Sequence, residues 1–209
     1  MTRVTKRILF VHGMGRSPLS GWPMLARLRR AGLRTETFGY VAALQDFDAI
    51  VARLITRLQA LAAGGDAYAL IGHSLGGVLL RAALDALPSD TPRPRHLFLL
   101  GSPIGASRLA IRLQRRFLFR ALAGDCGQML GTPARMAGVA AVNGGVPTTA
   151  VVGVRGLACG PFGTEPNDGV VARSEVVAPW LSELVEIPVM HTLLPASGRV
   201  AEIVLQALR

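Results

Sequence analysis

Ala69-Leu70-Ile71-Gly72-His73-Ser74-Leu75-Gly76-Gly77-Val78 is an apolar run that stops at a serine held between glycines, after which a second apolar run begins. Gly72-x-Ser74-x-Gly76 fits a turn that takes a chain from a strand straight into a helix, so sharply that the serine backbone is strained and its hydroxyl stands clear of the sheet edge. The bare spacing is common in chains with this much glycine and serine, so its context decides. Tyr68, Leu70 and Ile71 precede it at strand spacing, and Val78, Leu79, Leu80, Ala83, Leu84 and Leu87 follow at helical spacing. The first amide of that helix, on Leu75, lacks an intrahelical partner and can face a negative oxygen forming beside Ser74. One turn thus offers a nucleophile and half of an oxyanion site.

Outward from this turn, strand and helix patterns alternate. Arg7 to Gly13 reads as a first strand with Ile8, Leu9, Phe10 and Val11 buried, and Trp22 to Gly32 as a helix closed by glycine. Thr35 to Tyr40 is a short strand suited to a sheet edge. Asp46 to about Ala63 is the longest helix, with Ile50, Leu54, Leu58 and Leu61 on one stripe. After the helix that follows Ser74, strands are expected at His96 to Leu100, Thr148 to Val154 and Leu184 to Val189, with a closing helix from Arg199 to Leu208. Such alternation predicts an α/β fold with a doubly wound, mainly parallel sheet and a helical insertion after the fourth strand.

The whole chain is consistent with this. Its 209 residues suffice for one domain, 1–209, burying roughly 70% of its unfolded surface. An apolar content of 50% with 17% charged residues suits strands covered on both faces and excludes disorder. No uninterrupted apolar stretch reaches membrane-spanning length. At the N-terminus only Ile8 to Val11 are apolar before His12-Gly13, too short for a secretory signal, so a cytoplasmic location is expected. Cys126 and Cys159 are then expected as free thiols. The net charge of +10 comes almost wholly from arginine, but the arginines are dispersed, aromatic residues make up only 5%, and no nucleic-acid module is present. No nucleic-acid partner is expected. The charge does raise the local concentration of anionic substrates or surfaces.

In doubly wound sheets, sites form at the carboxyl ends of strands. A serine nucleophile needs a base, and histidine has the pKa for it. Of the four histidines, His12 lies in the first turn, His73 adjoins Ser74 and His96 enters a strand at the opposite end of the sheet. His191, two residues past the last strand, remains. The base needs a carboxylate, and Glu165 and Asp168 both lie in the loop after the penultimate strand. Asp168 is preferred, because Asn167-Asp168-Gly169-Val170-Val171 is a tight turn that presents a short carboxylate rigidly, although Asn/Asp-Gly is also an ordinary turn sequence. A second oxyanion donor is expected from the loop after the first strand, where Gly13 permits close approach and Met14 offers an amide. A dinucleotide reading of Gly13-x-Gly15 fails, since Pro18 stands where the third glycine belongs.

Val11-His12-Gly13-Met14, Gly72-His73-Ser74-Leu75-Gly76-Gly77, Gly101-Ser102-Pro103, Asn167-Asp168-Gly169-Val170-Val171 and His191, in that order, resemble the α/β-hydrolase superfamily, in particular small bacterial esterases and lipases with a minimal cap. The resemblance covers most of the chain. It implies Ser74 as nucleophile, Asp168 as acid, His191 as base and the amides of Leu75 and Met14 as oxyanion donors, with no metal or organic cofactor. It also implies hydrolysis of an ester or thioester through an acyl-enzyme. Met14, Trp22, Leu75, Ile104 and Leu193 near that centre favour an apolar acyl group. An acyltransferase would use the same residues, and a non-catalytic binding protein of this fold would be marked by loss of a triad member.

Residues 104–147 form a lid-like insertion that the resemblance does not explain. Ser107 to about Ala123 has no proline or glycine, and Ser107 suits an N-cap. This predicts one amphipathic helix with Arg108, Arg112, Arg115, Arg116 and Arg120 within roughly 140° of one another and Leu109, Leu113, Phe117, Leu118 and Leu122 over much of the rest. Two roles fit such a helix: its apolar side covers the acyl site, or it docks on an anionic lipid surface or an acidic acyl carrier.

Overall fold

The expected alternation is realised as one six-stranded sheet in a computed structural model that describes residues 5–139, 141, 145–156 and 160–209. Its strands are β1 (Thr5–Val11), β2 (Arg34–Phe38), β3 (Ala67–His73), β4 (Leu97–Leu100), β5 (Thr148–Gly153) and β6 (Glu183–Ile187), in the spatial order β2-β1-β3-β4-β5-β6. All five pairings are parallel. β2 takes an edge, as its alternating pattern implies, and β3 sits inside between β1 and β4.

Successive strand residues point to opposite faces, and two cores follow from this. Leu9, Val11, Leu70, Leu97 and Leu99 bury against α2 (Phe47–Ala63) and α3 (Leu75–Asp85). Ile8, Phe10, Ile71, Phe98, Leu100 and Val151 bury against α1 (Trp22–Arg30) and α7 (Gly198–Ala207). The α2 stripe Ile50, Leu54, Leu58 and Leu61 is fully buried, each side chain contributing roughly 1.5–3 kcal/mol. Cys126 is a buried free thiol whose pKa burial pushes up to about 12. Cys159 lies outside the described residues.

The insertion departs from expectation. The predicted helix from Ser107 to about Ala123 is instead two helices, α4 (Arg108–Leu113) and α5 (Phe117–Gly131), with Arg116 extended at φ −80° and ψ 128° between them, and α6 (Pro133–Ala137) follows. Ser107 does cap α4, accepting a hydrogen bond from the Ala110 amide at 3.4 Å. The break has a tertiary cause. The Gln114 carbonyl accepts from Gln128 Nε2 at 3.3 Å, and Gly131 fits tightly against Ala110 and Gln114, so α5 folds back on α4 as a helical hairpin. Arg108 leaves the basic face altogether and pairs with Glu165 at 2.6 Å and Glu175 at 3.6 Å. Buried Arg81 on α3 fastens both ends of the segment, donating to the carbonyls of Ile104 at 3.1 Å and Val139 at 2.9 Å and lying 5.4 Å over the Trp180 ring.

The turn between β3 and α3 is set against the end of β1. A side chain at Gly76 would overlap the carbonyl oxygens of Val11 and His12, which are backbone atoms and cannot swing aside. Gly76→Ala is therefore expected to destabilise the protein by about 1–3 kcal/mol or more, as overpacking does. The urea midpoint read by circular dichroism checks this, and an unchanged midpoint would refute the close approach.

Candidate active site

Ser74 terminates β3 with φ 53° and ψ −123°, the only non-glycine residue of positive φ among those described. Its amide donates to the Leu100 carbonyl at 2.8 Å, which ties the turn to the end of β4. Leu75 opens α3, so its amide belongs to the unpartnered first turn. Its side chain is wholly buried in the core.

Asp168 and His191 meet across the loops that follow β5 and β6. His191 Nδ1 lies 2.7 Å from Asp168 Oδ2, while Oδ1 accepts from the amides of Val170 at 2.9 Å and Val171 at 2.8 Å. The aspartate carbonyl also accepts from the His191 amide at 2.9 Å. A carboxylate in its ionised form only accepts, which in this geometry makes Nδ1 the donor and leaves the Nε2 lone pair for another partner. The pair abuts the Ser74 turn through Gly101: a Cβ there would lie 2.9 Å from Asp168 Oδ2 and 2.9 Å from His191 Nδ1. The Ser74 hydroxyl and His191 are not joined by a hydrogen bond in this structure. Such bonds often tighten only when substrate binds.

Glu165, the competing acid, points elsewhere. It accepts from the Ser174 amide at 2.8 Å and from Arg108 at 2.6 Å, and hydrogen bonding from the Ser174 side chain, then from Arg108 and the Ser174 amide, holds its carboxyl down at about 2.

Two histidines set aside as bases prove to be supports. His73 is buried beneath His191, ring centroids 4.7 Å apart, with Nε2 3.0 Å from the His191 carbonyl. His12 stacks on Tyr40 at 4.3 Å, its Nδ1 lies 2.9 Å from the Gly13 carbonyl and the Tyr40 amide faces its Nε2 at 3.4 Å. The amide can only donate, so Nε2 is bare and Nδ1–H holds the Gly13 carbonyl, which also accepts from the Arg16 amide at 3.2 Å. Because a trans peptide sets its C=O and N–H in opposite directions, this fixes where the Met14 amide points. Gly13 itself has no room for a side chain, since a Cβ would stand 2.9 Å from His73 Nδ1 and 3.1 Å from Ser74 Cβ. A histidine or arginine inside an otherwise apolar run, as at His73 and Arg81, was the signal available in the sequence.

Of the remaining expected residues, Met14 is half-buried against the core, Ile104 is half-buried with its amide on the Glu175 carbonyl at 2.8 Å, and Trp22 and Leu193 are 59% and 52% exposed. They sit in segments after β1, β4 and β6. No group of three or more histidine, cysteine, aspartate or glutamate side chains able to hold a metal ion occurs among the described residues.

No family model matches the chain. The structure superposes on the Bacillus licheniformis lipase BlEst2 in its mature form with a TM-score of 0.80, covering 98% of this chain and 92% of that one at 18% identity. The chain has the α/β-hydrolase fold. The chain is also similar to the metagenomic carboxyl esterase MGS0156, with a TM-score of 0.69 over 100% of this chain and 75% of that one at 16% identity. In sequence, it is 32% identical over 95 residues to the probable esterase PIR7A of Oryza sativa subsp. indica, a match covering 40% of this chain and 35% of the rice protein. The match thus spans about a third of that relative's length.

Burial lowers the pKa of His12 and His96 below the usual 6.5, and lowers that of His73 well below it with further help from neighbouring His191. Between those lowered values and 6.5, the unfolded chain binds protons that the folded chain refuses. Stability is therefore whole above about 6.5 and falls as pH drops through it. Urea denaturation at pH 7.5 and pH 5 should show this loss, and His96→Gln should make the slope shallower; a pH-independent midpoint would contradict it.

Proposed function

We propose that the chain is a serine hydrolase that cleaves carboxylic esters or thioesters with an apolar acyl group. One observation carries the reading: a strained serine at the carboxyl end of a central strand is tied to Leu100, and the next residue, Gly101, packs against a buried Asp168–His191 pair. In this scheme Ser74 Oγ attacks the acyl carbon and its proton passes to His191 Nε2. Asp168 holds the tautomer and stabilises the imidazolium, and the amides of Leu75 and Met14 receive the oxyanion. The imidazolium protonates the leaving group, and water, activated by the same base, releases the acid. This chemistry needs no cofactor. Ester hydrolysis agrees with what the names of the similar proteins say of them, and the exposed Trp22 and Leu193 with half-buried Met14 and Ile104 supply apolar surface for an acyl chain.

Ser74→Ala and His191→Ala should each lower turnover of a p-nitrophenyl ester by about a millionfold, with the double variant scarcely worse. Asp168→Asn should cost about four orders of magnitude by favouring the wrong tautomer, whereas Glu165→Gln should retain most of the rate. Fluorophosphonate labelling of the unmodified protein but not of Ser74→Ala reports the same serine independently. Wild-type turnover in the serine or histidine variant would overturn the mechanism.

The same reading makes residues 1–209 a single hydrolase domain with 104–147 as its lid-like insertion, and brings one end of the insertion to an anionic lipid surface. Phe117, Leu118 and Leu122 are 80%, 72% and 72% exposed at the start of α5, beside the exposed arginines 112, 115, 116 and 120. Each arginine near a charged bilayer contributes about 1 kcal/mol. Replacing Arg112, Arg115 and Arg116 by glutamine should weaken binding to phosphatidylglycerol vesicles at least tenfold at low salt, with turnover of a soluble short-chain ester as the control for folding. Vesicle binding that ignores these changes would remove the membrane from the account.

A further inference from the structure

Beside the Met14 loop lies a cleft of about 560 Å³ between the segments that follow β1 and β2, within the roughly 300–1,000 Å³ usual for small-molecule sites. Its walls are mostly apolar, from Pro18, Tyr40, Val41 and Leu44, with the latter two 53% and 83% exposed. Two cations, Arg16 and Arg53, complete it, and no carboxylate lines it. Among the described residues neither arginine forms an ion pair. Arg53 is nonetheless held in place: it donates to the Gly39 carbonyl at 3.2 Å and lies 5.2 Å from the Phe38 ring centroid, which leaves most of its five donors unused.

The cleft is linked to the serine turn through His12 and Gly13, the latter packed against Ser74. Tyr40, one of its walls, stacks on His12 and donates its hydroxyl to the His12 carbonyl at 2.8 Å, immediately before Gly13. Arg16 donates its amide to Gly13, and its charge is among the influences that lower the pKa of His73 beside Ser74. An apolar cleft lined by two guanidinium groups and no carboxylate complements a molecule with an apolar body and an anionic group, because the planar guanidinium fork matches phosphate and carboxylate oxygens.

We propose that this cleft selects esters bearing a phosphate or carboxylate beside the acyl chain, with Arg16 and Arg53 gripping the anion while the ester bond lies at Ser74. The proposal rests on the hydrolase reading above and names its substrate class. It is tested with two probes that share an octanoyl chain and a glycerol and differ by one phosphate, octanoyl lysophosphatidate and monooctanoylglycerol, below their micellar concentrations. The expected result is a kcat/KM for the phosphorylated ester at least tenfold above that for the neutral one, and a ratio that collapses toward one in Arg16→Gln/Arg53→Gln. Calorimetric binding of the lysophosphatidate to Ser74→Ala, and to that variant with both arginines replaced, should show an affinity loss of tenfold or more. This binding arm does not depend on turnover. Failure of the unmodified protein to hydrolyse either ester would count against the hydrolase reading, whereas equal binding by both calorimetric variants, or none, would overturn the cleft. Inorganic phosphate binding as tightly as the lysophosphatidate would mark a bare anion site and overturn it too.

Discussion

A non-glycine residue forced to φ 53° is the constraint on which this molecule is arranged. Holding Ser74 there costs about 1–3 kcal/mol, and it persists only because its surroundings leave no alternative. Its amide is held by β4, and the first turn of α3 is jammed by Gly76 against the closing carbonyls of β1. These contacts come from the three strands at the heart of a sheet whose two cores are fully buried. The strain is thus distributed into the part of the fold least able to give.

Once the serine is placed, the other groups are held mainly through backbone. Asp168 takes three hydrogen bonds on its carboxylate and one on its carbonyl, two of the four from His191. His73 grips the carbonyl of His191 from below, and His12 grips that of Gly13 from the side. Burial lowers the pKa of both imidazoles and favours their uncharged form, so they orient peptides without adding positive charge beside His191. Preorganisation of this kind is the main source of electrostatic catalysis in closed sites.

The charge of the chain is unevenly spent. Acidic side chains around the insertion are occupied: Glu165 and Glu175 hold Arg108, and Asp125 holds Arg135. Arginines at the cleft beside the Met14 loop and at the start of α5 have no such partners among the described residues, and they flank exposed leucine, valine and phenylalanine. Cation and apolar surface lie together on segments that follow the carboxyl ends of strands, where the serine stands.

What the sequence by itself determined was whatever repeats locally. Strand alternation, the α2 stripe, the Ser107 cap and the glycines around Ser74 all act over a few residues, and each predicted strand is present with its ends moved by at most two residues. The one eligible histidine and its short list of acids were legible for the same reason, since loop order along a parallel sheet follows chain order. Only the tertiary structure shows Asp168 beside His191 and Glu165 turned to Arg108, some 57 residues away from it. It also split the expected helix after Ser107, where Gln128 and Gly131 reach back across the hairpin. It gave His73 and His12 their supporting roles as well. In each case the deciding partner is distant in sequence, so neither residue carries a sign of the other until the sheet brings them together.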